Sequence, residues 1–218
     1  MIWEMNKTIL VTRPRYDDTT AYLNKWAGLV KEFAEERGCR VLDLDGEKAN
    51  RAEFESYAKK HRPNFFFFNG HGSDEAVTGD QEKDLLLHKV NDNFCTGAIV
   101  YIRSCNAGGT LANSLVAKGT KACIGYTTKF GFIRIVAYST KPLEDPMARI
   151  FLEPSNLIAT GILKGNTAAE AHRKAIKEMS KSFFMMLSSQ GKFDQNALLV
   201  MSSNLRGQKL IGDSSAVI

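Results

Sequence analysis

No apolar run in this chain of 218 residues approaches the ~20 needed to span a bilayer. The opening MIWEMNKTIL also lacks the long apolar core of a secretory leader. A soluble, cytoplasmic protein with no membrane partner is the expectation. Cys39, Cys95, Cys105 and Cys123 form no CxxC pair, which argues against a zinc site and against a dithiol redox motif. No metal and no cofactor are expected, and in a reducing compartment no disulfides. No GxGxxG follows the first apolar segment, where VTRPRYDD stands instead, so dinucleotide binding is not indicated. Internal repeats and low-complexity tracts are absent as well.

What is present suits one compact α/β domain over residues 1–218, with 44% hydrophobic and 24% charged residues. The net charge of +5 is unevenly spread: residues 1–100 carry 14 Lys and Arg against 17 Asp and Glu, residues 101–218 carry 15 against 7. The basic second half favours an acidic partner, although charge alone is equally the mark of a solvated face.

Apolar β-type runs alternate with helical periodicity. KTILVTRP reads as a strand, and a helix from Asp18 to Arg37 follows because Tyr22, Trp26, Leu29, Val30 and Phe33 recur at helical spacing before Gly38. CRVLDLDG, NFFFFNG, GAIVYIRSC and KACIGYT are further strands. Between them come a helix capped by Asn50, a hairpin turning at GDQEK and a helix near 110–118. Helices follow at 146–163 and 167–188, and NALLVMSSNLRGQKLIGD reads as a last sheet strand with a small terminal one. The alternation predicts an α/β/α sandwich around a mostly parallel sheet of about six strands. The segment 127–146 is too long for an ordinary connection; it is expected to face substrate and to be mobile without it.

Ligands of open parallel sheets bind beyond the carboxyl ends of the strands. Two strands end there in chemistry: FFFF runs into NGHGS and AIVYI into RSCNAGG, delivering His71 and Cys105 34 positions apart. If these strands are neighbours, an imidazole can take the proton of a thiol, and a helix beginning after Cys105 can favour the thiolate. Gly72, without a side chain, lets its N–H approach a substrate carbonyl together with the N–H of Cys105, forming an oxyanion hole. The bland alternatives are a core cysteine and a simple turn. His61, His88 and His172 have no such setting, Cys39, Cys95 and Cys123 read as structural, and Asp74 and Glu75 read as surface charges.

FFFFNGHGS and IVYIRSCNAGG together resemble the caspase-like cysteine peptidases, which include caspases, legumains, separases, gingipains and CHAT-domain proteases. LIGDSSAVI at 210–218 resembles the Leu-x-Gly-Asp-Pro-x-Leu ending of gingipain-type and CHAT domains, with Ser214 where that pattern has Pro. The resemblance implies a caspase-like fold and a cysteine endopeptidase, with His71 as general base, Cys105 as nucleophile, and the Gly72 and Cys105 amides as oxyanion donors. Its partners would be a protein or peptide substrate and a regulatory protein, not nucleic acid. Arg103, two residues before the nucleophile, is expected either in the pocket for the residue preceding the scissile bond or tied to a carboxylate of the protein itself. In that pocket, with Lys129 and Arg134, it would favour Asp or Glu.

Rival cysteine chemistries fail on residue identity. A phosphatase needs Arg six places after its cysteine, where Leu111 stands, and an amidotransferase elbow needs Gly where Arg103 stands. A catalytically silent caspase-like module that binds an acidic partner is the remaining alternative.

Overall fold

The computed structural model describes residues 7–188 and 193–218. Most of the opening stretch that bears on a leader thus lies outside the described residues. The elements run in the order β1 (Thr8–Arg13), α1 (Asp18–Glu36), β2 (Arg40–Asp45), α2 (Arg51–His61), β3 (Phe65–Asn69), β4 (Ala76–Thr78), β5 (Asp84–Leu87) and β6 (Ile99–Arg103). After these come α3 (Thr110–Ala117), β7 (Ala122–Tyr126), α4 (Pro146–Leu163), α5 (Ala168–Ser188), α6 (Gln195–Gly207) and β8 (Gln208–Gly212). Six strands form one sheet in the order β2-β1-β3-β6-β7-β8, all parallel except β8, which runs antiparallel to β7. β4 and β5 make a separate hairpin.

The four phenylalanines of β3 are buried because the strand is central and both its faces are covered. Successive side chains alternate between faces. Phe65 and Phe67 join α1, α4 and α5, with Phe67 stacked on Tyr101 at 5.0 Å. Phe66 and Phe68 join α2, α3 and the hairpin, and Phe54 meets Phe68 edge-on at 5.4 Å. The molecule is therefore a three-layer α/β/α sandwich with a mostly parallel six-stranded sheet, as the alternation predicts.

Local chemistry explains the helix starts. Asp17 closes a capping box with Thr20 at α1, and Asn50 accepts from the Glu53 amide at 3.0 Å to start α2. One expected element is different: NALLVMSS forms helix α6, and only QKLIG is a strand. Its Leu-Leu-Val run suits a strand locally. Yet Asp194 caps Asn196, and Ala197, Met201 and Asn204 fall on one buried face. That face packs with Phe151 and Met179 in a third core cluster between α4, α5 and α6, so tertiary burial overrides β propensity.

Candidate functional site

β3 and β6 are hydrogen-bonded neighbours in parallel register, Phe65 opposite Ile99 through Asn69 opposite Arg103. Every pair differs by the 34 positions that separate His71 from Cys105. His71 and Cys105 each come two residues after the last registered pair, in the loops that leave the carboxyl ends of these adjacent strands. Gly72 lies against the loop that carries Cys105: a Cβ there would sit 2.6 Å from Ser104 Oγ, so no other residue fits without displacing it.

The excursion after His71 has a structural use. Thr78 of β4 donates its amide to the His71 carbonyl at 2.9 Å, so the hairpin fixes the histidine's main chain. Its ring is fixed by a residue the sequence did not reveal: Asp17 Oδ2 lies 2.7 Å from Nε2. Asp17 divides its carboxylate, Oδ1 accepting from the Thr20 amide at 2.7 Å to cap α1 and Oδ2 meeting the imidazole. Partial burial pushes this carboxyl up, but the hydrogen bonds from Thr20 and His71 outweigh it and hold the pKa below the usual range. With Nε2 engaged by a carboxylate, Nδ1 is the ring nitrogen left to take a proton. The Tyr16 ring, 6.2 Å away, forms a second wall.

Cys105 is partly buried, and its Sγ donates to the Phe130 carbonyl at 3.5 Å. Burial pushes the thiol above its usual pKa despite the nearby charge of Lys129, so at neutral pH it rests protonated. The loop beyond it is tight. Asn106 takes a left-handed φ of 60° and donates to Thr128 O at 3.0 Å, and Gly108 packs on β7 so closely that a Cβ would lie 2.6 Å from the Tyr126 nitrogen. The amides of Gly72 and Cys105 have no acceptor among the described residues.

Several expectations need correction. The amino end of α3 does not await a thiolate, because Asp74 already holds it. Asp74 Oδ1 accepts from the Thr110 amide at 2.9 Å, Oδ2 from the Thr110 hydroxyl, and its carbonyl from Leu111 N at 2.9 Å. Asp74 is thus a cap that ties the His71 loop to the Cys105 loop, not an idle surface charge. Arg103 is fully buried on the α1/α4 side instead of lining a substrate pocket. Its guanidinium donates to Asn69 Oδ1 at 2.8 Å, Asn156 Oδ1 at 2.7 Å and the Leu23 carbonyl at 3.1 Å, and sits 5.0 Å over the Phe67 ring. Burial without a carboxylate partner lowers its pKa to about 10.

Arg134 is also committed, pairing with Asp18 at 2.7 Å, whereas Lys129 is exposed beside Cys105. The segment 127–145 borders Cys105 through the Phe130 carbonyl, yet it is pinned: Gly131 exchanges two hydrogen bonds with Asn204, and Ile135 N donates to Asp145 at 2.8 Å. Val136, on its surface, is 78% accessible. Among the described residues no cluster of His, Cys, Asp and Glu could hold a metal ion, and no helix is long and apolar enough to cross a membrane.

No protein-family model and no curated protein sequence matches the chain. Solved structures do. The complex of Porphyromonas gingivalis RgpB pro- and mature domains aligns with 98% of this chain at 11% identity and a TM-score of 0.56. The Arg-specific cysteine proteinase gingipain R aligns with 98% at 12% identity and 0.55, and a further structure, described as a protease, with 97% at 13% and 0.52. The chain spans about half the length of these proteins: 48%, 47% and 48%. The fold is that of the caspase-like cysteine peptidases. Gingipain RgpB, one of that class, is a structural neighbour over nearly the whole of this chain.

Proposed function

We propose that the chain acts as one cysteine endopeptidase domain, with Cys105 as nucleophile, His71 as general base and acid, and Asp17 as the residue that orients the imidazole. The observation that supports this reading is that His71 and Cys105 each follow by two residues the last registered pair of the neighbouring strands β3 and β6, with a carboxylate on Nε2 of the ring. The resting thiol is neutral and turned to the Phe130 carbonyl, so activation accompanies substrate entry. His71 Nδ1 takes the Sγ proton, and sulfur attacks the scissile carbonyl carbon. The oxyanion accepts from the free amides of Gly72 and Cys105. Collapse breaks the C–N bond as His71 returns the proton to the leaving amine. A water deprotonated by His71 then hydrolyses the thioester, releasing acid and restoring the thiol. No cofactor enters these steps.

With Arg103 and Arg134 engaged inside the protein, a preference for an acidic residue before the cleaved bond rests on Lys129 alone. The neighbouring gingipain R is named for Arg specificity. Peptides differing only in Glu, Asp, Arg, Lys or Leu at that place test the preference: faster cleavage of the Arg or Lys peptide rules out the Lys129 reading.

The activity itself is tested by digesting a proteome-derived peptide library. Cleavage by the wild type that is absent from Cys105→Ala and His71→Ala supports the proposal. Cleavage that persists in either variant refutes it.

A further inference from the structure

Apart from Lys129, the basic residues of the second half of the chain take no part in the chemistry above. Four of them line a groove of about 720 Å³ between α4 and α5. Arg149 and Lys164 rim it from α4 and the turn after it, Lys174 and Lys177 from α5. Against these four cations stand two carboxylates, Glu153 and Glu178, and Glu178 is already held by Lys181 at 2.5 Å. Lys177 and Glu153 have no ion-pair partner among the described residues.

Two features separate this groove from a merely solvated charged face. Its floor is apolar, built from Ile150, Pro154, Leu157 and the bare backbone of Gly161. Gly161 lets the helices meet closely, since a Cβ there would lie 3.0 Å from the Ala171 Cβ. The groove's end also holds an unsatisfied donor. Asn166 Nδ2 is buried with no hydrogen-bond partner among the described residues, while its Oδ1 accepts from Lys174 Nζ at 3.2 Å. A buried amide N–H without an acceptor costs free energy that a ligand oxygen would recover. Pro154, lacking an N–H, also deprives the Ile150 carbonyl of its usual helical donor.

We propose that this groove docks an extended acidic segment of a partner protein, with carboxylates toward the four cations, a backbone or side-chain oxygen toward Asn166, and apolar residues on the floor. From Arg149 to Lys164 the helix rises about 22 Å at 1.5 Å per residue. That length holds roughly six to seven residues of extended peptide at about 3.3 Å each. Neither Cys105 nor His71 lines the groove, so the inference stands apart from the peptidase reading.

The test is fluorescence polarisation of a labelled Glu-Leu-Glu-Glu-Leu-Glu peptide on the full chain, in wild type and in Cys105→Ala. A matching Gln-Leu-Gln peptide and a single-stranded DNA oligonucleotide serve as comparison probes. The acidic peptide should bind both proteins equally, and the Gln peptide at least roughly tenfold more weakly. Lys174→Glu with Lys177→Glu, an exposed pair whose exchange leaves the core intact, should weaken the acidic peptide by about tenfold or more. Asn166→Asp, which exchanges the donor for a carboxylate, should weaken it too. Far-ultraviolet circular dichroism confirms that the variants are folded. The proposal is overturned if the acidic peptide does not bind, if it binds the charge-reversed protein as well as the wild type, or if the oligonucleotide binds more tightly and loses affinity on the same substitutions.

Discussion

The two faces of the central sheet are both buried, yet they are built differently. Against the sheet the α2/α3 face is apolar, with Phe54, Phe66, Phe68, Val100, Ile102 and Cys123 in one cluster, and the buried polar groups Asn91 and Asp92 lie off the sheet in the connection before β6, bonded to Glu55, Leu85 and Ser114. The α1/α4 face carries a buried hydrogen-bonded set in which Arg103 joins Asn69, Asn156 and Leu23, while Tyr101 reaches Ser155 at 2.7 Å. Packing by volume alone tolerates small slips, whereas directional bonds specify one arrangement. Arg103 and Asn69 are opposite each other on β6 and β3, two residues below Cys105 and His71. The polar face thus fixes the alignment of the two site strands, and the apolar face supplies bulk stability.

Arg103→Ala breaks this comparison most severely. It strands three buried acceptors and opens a cavity, so chemical denaturation should show a loss of about 3–5 kcal/mol. The closely sized Arg103→Met should lower cleavage more than stability if alignment is the residue's role. Phe66→Leu, on the other face, should cost about 1 kcal/mol and leave turnover per folded molecule unchanged. Equal effects of these two on turnover would erase the distinction.

Asp17→Asn comes next. Exchanging the carboxylate for an amide keeps the α1 cap but removes the charge that orients His71, and cleavage should fall on the order of 10²–10⁴-fold. Because the Asp17 pKa is depressed, its carboxylate persists below the ordinary Asp range and protonates only as pH falls through the lower folded value. An acid limb of kcat/KM present in the wild type and missing from Asp17→Asn would report that step. Asp74→Ala removes the bridge between the two site loops and should cost about 1 kcal/mol in thermal denaturation, with a larger effect on activity than an ordinary surface cap. The smallest effect concerns Lys129. The Cys105 pKa is raised, so the thiolate fraction is small at neutral pH and grows as pH rises past the ordinary thiol range. Lys129→Ala raises it further and should slow iodoacetamide labelling a few-fold at pH 8, as followed by intact mass.

Much of this was legible in the sequence because it follows from local patterns. Phe65–Phe68 could lie only in a strand covered on both faces, and the Gly-His-Gly and Ser-Cys-Asn endings announced the carboxyl edge. The helix expected from Asp18 left Asp17 outside it, and nothing local marks Asp17 as the partner of a histidine 54 positions away, because that contact depends on β1 and β3 being neighbours. Arg103 misled for the same reason: a charged residue near a nucleophile reads as substrate-facing until its amide and carbonyl partners come together from α1, β3 and α4. The strand expected at Asn196–Ser203 failed because α6 owes its form to the apolar layer between α4 and α5, which no local propensity records.

Covalent capture of a peptidyl vinyl sulfone tests the pairing of His71 with Cys105 most directly, because the bond formed identifies the nucleophile and its rate reports the histidine. The account predicts a single adduct on Cys105, none on Cys39, Cys95 or Cys123, and capture at least about 10²-fold slower in His71→Ala. An adduct on another cysteine, or capture by His71→Ala at the wild-type rate, would contradict it.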